Sequence, residues 1–148
     1  MRITAERFID CAWILDLRII SADSSLMDHR FINEASKLAK AKEIDVQYLD
    51  FSRYNSAEEA LTSHDNADFR NAIEDGTKPR LLWFDNCDSL APLSCALTYS
   101  LRSVLTTRLT NNVQSVFIAK KTSLNLMFNN HDAAFYQSNS PITEHQWL

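Results

Sequence analysis

Asp85 is the residue of this chain best placed to do chemistry. It ends an unbroken apolar run, Leu81-Leu82-Trp83-Phe84, and is followed by the polar turn Asn86-Cys87-Asp88. An apolar run of this length bounded by turn residues reads as a strand buried on both faces. A carboxylate at the C-terminal end of such a strand lies where open α/β sheets bind ligands. There Asp85 either holds a metal or caps the turn that follows, and capping is the favoured reading. Asp88 offers a second carboxylate, again favoured as a turn residue. Lys120 and Lys121 follow the expected strand Val113 to Ala119 and could meet a phosphate at the same sheet edge. Their plainer role is a solvated loop pair. Asp23, Ser24, Ser25 and Asp28 fill the turn after the first expected strand, and a salt bridge of Asp23 and Asp28 with the two lysines is the lower-ranked reading of this charge pattern.

The remaining reactive side chains form no signature. His29, His64, His131 and His145 are scattered, with no two at metal-ligand spacing. Ser94, Cys95 and Ser123 lack the G-x-S-x-G elbow or any comparable motif that would mark a nucleophile. Cys11, Cys87 and Cys95 are odd in number and do not have zinc-site spacing, so free thiols in a reducing compartment are expected. No metal and no cofactor are expected.

These residues must be positioned by alternating strands and helices. Thr4 caps an expected short helix within residues 1–12. Trp13 to Ser21 reads as a strand, with Leu15, Leu17 and Ile19 on one parity. Asp23, Ser24 or Ser25 then caps a helix over Leu26 to Lys42, with Asp28 as the capping-box partner. Its apolar stripe is Met27, Phe31, Ala35, Leu38 and Ala39. Asp45 to Phe51 is the second strand. Ser56 opens a helix that breaks near His64–Asn66 and resumes over Ala67 to Glu74. Gly76 fits the left-handed position that ends helices. After the strand leading to Asp85, Ser89 and Pro92 open a helix with Leu93, Leu97, Leu101, Leu105 and Leu109 on one face, ended by Asn111–Asn112. Val113 to Ala119 is the fourth strand, and Thr122 or Ser123 caps a short helix beyond it. Asn129 to Ser140 is a polar loop holding Phe135 and Tyr136. Pro141 to Leu148 is a last edge strand. Trp13, Trp83 and Phe84 are expected in the core, Phe135 and Tyr136 are either interface aromatics or packed onto the sheet, and Trp147 is a candidate interface aromatic.

The alternation implies a three-layer α/β/α sandwich around a mainly parallel sheet of about five strands. A length of 148 residues suits one domain spanning 1–148. With 45% hydrophobic and 23% charged residues the composition is that of an ordinary globular protein. Glycine is the exception: Gly76 stands alone where roughly ten are usual. Loops that cradle phosphate depend on glycine for close approach of backbone amides, so the count weighs against the usual kind of nucleotide site. Residues 1–76 hold nine Lys/Arg against fifteen Asp/Glu, a net −6, and residues 77–148 hold six against four, a net +2. The acidic half is a solvated surface or a face for a basic partner. No basic stripe with interleaved aromatics suggests nucleic acid. No signal peptide and no membrane span are read, and a cytoplasmic location is expected.

The order of elements resembles the core of P-loop ATPases of the AAA+ and STAND kind, especially the archaeal-type ATPase family. Four segments carry the resemblance. Arg18 to Ser52 matches strand, P-loop, first helix and second strand. Arg80 to Asp88 looks like a Walker B strand. Ser115 to Phe128 is similar to the sensor strand and its short helix. Asp132 to Gln137, DAAFYQ, resembles the family's DSPLYGR-type segment. The departures are specific. The stretch Ser21 to Asp28, SADSSLMD, has neither the glycines nor the lysine that a P-loop needs. Asp23 and Asp28 would put negative charge beside a triphosphate, costing on the order of a few kcal/mol in a partly desolvated site. Asp85 matches the magnesium-associated aspartate, but Asn86 stands where many relatives have the glutamate that activates water. An amide is no general base. Gln137-Ser138 replaces the Gly-Arg after the aromatic pair.

The resemblance implies a pseudo-ATPase core with a degenerate nucleotide site at Asp23, Ser24, Ser25, Asp85, Asn86 and Lys120. The expected function is non-enzymatic protein binding, as a regulatory, adaptor or bacterial immunity-type protein that neutralises a toxin. The alternatives are a nucleotide-binding regulator with an unconventional site, and an inactive subunit packed beside an active ATPase.

Overall fold

The computed structural model describes residues 3–91, 96–106 and 112–142. In chain order these form α1 (Ala5–Ile14), β1 (Ile19–Asp23), α2 (His29–Ala41), β2 (Asp45–Asp50), α3 (Ala57–Thr62), α4 (Ala67–Glu74), β3 (Arg80–Asp85), α5 (Ala96–Thr106), β4 (Val113–Ala119), α6 (Lys121–Phe128) and β5 (Ser140–Pro141). Single 3-10 turns occupy Phe51–Arg53, His64–Asn66 and Cys87–Leu90.

The five strands form one sheet in the order β2-β3-β4-β1-β5, and every pairing is parallel. The fold is therefore α/β, consistent with a three-layer sandwich and compatible with a P-loop-NTPase-like core. β3 and β4 are buried along their whole length, which is why Leu81 to Phe84 and Val116 to Ala119 read as apolar runs; β4 also buries the polar Gln114 and Ser115. Alternate residues serve opposite cores. Leu81, Trp83, Val116 and Ile118 meet Phe8, Ile9 and Ala12 of α1 and Ile32, Ala35 and Ala39 of α2. Leu82, Phe84 and Phe117 meet Ala60, Phe69, Leu101 and Phe128 from α3 to α6. Arg80 fastens the start of β3 to its neighbours, donating to Asp45 at 2.8 Å and Asp75 at 2.9 Å.

Several expected boundaries move. Trp13 to Ser21 is not one strand: α1 runs on to Ile14, the chain turns with Asp16 and Arg18 at positive φ, and β1 starts at Ile19. The parity of Leu15, Leu17 and Ile19 imitates a strand, but Phe8, Ile9 and Ala12 carry the helical stripe to the end, leaving Ile14 79% and Leu15 61% exposed. Trp13 is only partly buried, against the α1/α2 core. Thr4 does cap α1, accepting from the Arg7 amide. Helix α2 begins at His29, not Leu26, because Asp28 is itself the cap and accepts from the Phe31 amide at 2.9 Å. Ile32 takes the inward position expected of Phe31, which is partly buried.

Ser56 caps α3 through the Glu59 amide, and α4 has the expected bounds. Gly76 is not left-handed, since no described glycine has positive φ. The chain leaves α4 through an extended Asp75 whose carboxylate holds the amide and hydroxyl of Thr77, so the turn is built by a side chain. Ser89 caps nothing, because it lies inside a 3-10 turn with a buried, unpartnered hydroxyl. Neither Thr122 nor Ser123 caps α6: that helix starts one residue after β4, with Lys120 at the cap position. Phe135 is fully buried against Phe117 at 5.4 Å, so it belongs to the core. The last strand pairs with β1 at Ser140 and Pro141. Pro92, Leu93, Ser94, Cys95, Leu109, Asn111, His145 and Trp147 lie outside the described residues.

Candidate functional site

The C-terminal ends of the parallel strands gather the candidate residues along one edge. β2 and β3 are in register from Asp45–Arg80 to Asp50–Asp85, so two strand-end aspartates stand side by side. Both point to the face covered by α2, as do Tyr48 and Trp83 two residues before them.

Asp85 is buried and accepts hydrogen bonds from the Tyr48 hydroxyl and, at 3.0 Å, from the Asn86 amide. Asn86 adopts the left-handed conformation, φ 50°, which a short polar side chain tolerates. Its side-chain amide donates to Asp50 at 3.0 Å. Asp50 also receives the Ser52 amide at 3.0 Å and the Ser52 hydroxyl at 2.6 Å. Burial pushes the Asp50 carboxyl upward, but hydrogen bonds from Ser52 and Asn86, with the charge of Arg53, outweigh it and hold the group below the usual carboxylate range. Asp85 and Asp88 form no pair, because Asp88 accepts the Lys120 amide at 3.0 Å and so ties the 3-10 turn to the start of α6. Lys120 thus joins the network through its backbone, and its side chain is exposed. Cys87 beside them is fully buried, which raises its thiol well above the ordinary value.

Burial raises the Tyr48 hydroxyl above its ordinary pKa, and the hydrogen bond to Asp85 and the charges of Asp85 and Asp50 add to it. Above about pH 10 an unfolded tyrosine loses its proton. Folded Tyr48 keeps it. The native state then binds more protons than the unfolded one, so stability falls as pH rises beyond that point. Urea midpoints measured from pH 8 to pH 11 should fall more steeply for the wild type than for Tyr48→Phe. Parallel curves would contradict this account of Tyr48.

The turn after β1 is closed on itself. The Ser24 amide donates to Ala119 O at 2.9 Å, the Ser25 amide to the Asp23 carboxylate at 3.0 Å, and the Leu26 amide to Asp23 O at 2.9 Å. Three successive amides are satisfied within the protein, one of them by a carboxylate. Asp28 does the same at the N-terminus of α2. Asp23 makes no ion pair with Lys120 or Lys121 among the described residues, because its carboxylate is turned back onto Ser25.

Two clefts lie near these residues. Asp23 and Ser25 line one of about 440 Å³ with Lys121, α6 and β5. Asp50 and Tyr48 line another of about 530 Å³ between β2 and α2. Asp85 and Asn86 line neither. Among the described residues no three His, Cys, Asp or Glu side chains converge as a metal site. No described helix is long and apolar enough to cross a membrane.

Sequence reasoning missed Tyr48 and Asp50. Asp50 had a readable signal, since it ends its strand as Asp85 ends β3. Tyr48 stands two residues earlier on the same face. No protein-family model matches the chain, and no curated protein sequence matches it.

Proposed function

We propose that the chain is a non-enzymatic protein-binding domain built on a P-loop-ATPase-like core, serving as a regulatory, adaptor or toxin-neutralising protein. One observation carries the reading. The amides of Ser24, Ser25 and Leu26 are already bonded within the turn after β1. A phosphate-binding loop works by leaving such amides free to converge on an anion. Here the Asp23 and Asp28 carboxylates take amides at the turn and at the helix start, so a triphosphate would meet negative charge and spent donors. The Asp85 and Asp50 carboxylates are likewise held by Tyr48, Asn86 and Ser52, and Asn86 supplies no base.

A fold of this kind with its chemistry removed keeps its surface, and recognition of another protein is the use that remains. The test is recovery of a partner from native extract with the tagged protein as bait. A stoichiometric partner retained equally with and without added nucleotide is expected. Recovery only in the presence of ATP, or of nothing above an untagged control, would overturn the reading.

A further inference from the structure

Among the described residues the sheet stops at β2, which pairs with β3 on one side only. The Asp45 amide donates to Pro79 O at 3.0 Å, toward β3. Asp45, Gln47 and Leu49 therefore turn their backbone groups inward, and Val46, Tyr48 and Asp50 turn theirs to the open edge. Proteins blunt such edges with proline, lysine, a bulge or a covering element. β2 carries no proline or lysine, and its register with β3 is continuous over six residues. Tyr48 is 41% exposed at its middle.

The cleft of about 530 Å³ runs along this edge. His29, Asn33 and Lys40 face it from α2, four and seven residues apart and hence on one side of the helix. Arg53 closes the end near Asp50. Among the described residues, neither Lys40 nor Arg53 forms an ion pair, and Asn33 makes no side-chain hydrogen bond within the chain. The one carboxylate lining the cleft, Asp50, already holds three donors. Lys40, and Arg53 whose charge acts on Asp50 without a direct salt bridge to it, stand at the two ends of the strand edge and are complementary to an extended chain bearing carboxylates.

We propose that an acidic, extended segment of a partner protein adds to β2 as a sixth strand, with its carboxylates meeting Lys40 and Arg53. This rests on the protein-binding reading and gives it a site and a partner chemistry. A second copy of the chain fits less well. The carboxylates it would bring on β2, Asp45 and Asp50, are already held by Arg80 and by Ser52 and Asn86, so they are not free to meet Lys40 and Arg53.

The probe is a phage-displayed library of random 12-residue peptides, selected on the purified protein and resynthesised for anisotropy titration. Enriched peptides should alternate acidic and apolar residues. Val46→Pro removes one outward amide without touching the bonds to β3, and should weaken them at least tenfold. Lys40→Glu with Arg53→Glu changes only exposed side chains, so the fold is retained, and should do the same. Peptides that bind both variants as they bind the wild type would overturn the site while leaving the protein-binding reading standing. A dimer in light scattering that Val46→Pro dissolves would assign the edge to a second copy and overturn the proposal. No enriched peptide, together with binding of magnesium ATP, would overturn both readings at once.

Discussion

Replacing Phe84 by alanine should lower the unfolding free energy by about 3–5 kcal/mol, the usual cost of deleting a fully buried aromatic ring. The ring is the hub of an aromatic cluster. It stacks on Phe117 at 4.4 Å and Phe51 at 5.9 Å, and meets Phe69 edge-on at 5.0 Å. Its strand is buried on both faces, so solvent cannot fill the hole cheaply and the backbone has little room to collapse. Phe84→Leu should lose less, because most of the apolar volume is kept. Urea unfolding followed by fluorescence measures both. A loss below about 1 kcal/mol for the alanine variant would mean that the ring is not enclosed, on the scale expected for such deletions.

Trp83→Ala should cost a similar amount, about 3–5 kcal/mol, from the other side of the same strand. Trp83 is fully buried, stacks on Phe8 at 5.8 Å and donates its indole N–H to the Ser36 hydroxyl at 3.0 Å. The alanine variant loosens α1 and α2, where the Phe84 variant loosens α3 to α6. Trp83→Phe keeps a ring against Phe8 but gives up the donor to Ser36 and part of the indole volume, so it should lose less than the alanine variant, about 1–3 kcal/mol. A Trp83→Phe variant as damaging as Trp83→Ala would mean that the ring kept against Phe8 contributes nothing.

Those two neighbouring residues also show what was legible from sequence. The strands ending at Asp85 and Ala119 could be read because a central parallel strand is buried on both faces and is bounded by polar turns. Helix α4 was legible for a related reason, as Phe69, Ala72 and Ile73 leave one spacing that fits. Residues 13–21 misled because an apolar run that ends a helix and begins a strand has no internal punctuation. Gly76 misled because Asp75 makes the turn with its side chain, and a carboxylate clamp on the next amide but one leaves glycine nothing to do.

The site was legible in position but not in wiring. Asp85 and Asn86 stand at the strand end where the apolar run placed them. Tyr48 reaches Asp85, and Asn86 reaches Asp50, because β2 lies beside β3 in register. Neighbourhood in a sheet follows from how crossovers pack, and chain order does not state it. The Asp23 to Asp28 turn shows the same limit. Residue types said that a phosphate loop was missing its glycines and lysine. Only the folded turn says where its amides went, to Ala119 and to Asp23 itself.

The most direct measurement is calorimetric titration of the purified protein with ATP and magnesium, repeated with GTP and ADP. No heat of binding up to millimolar ligand is the expected result, because the turn after β1 has no free amides to offer at Ser24, Ser25 and Leu26 and presents Asp23 in their place. Clear micromolar binding would contradict it and would make the cleft beside Lys121 the first place to look for the phosphates.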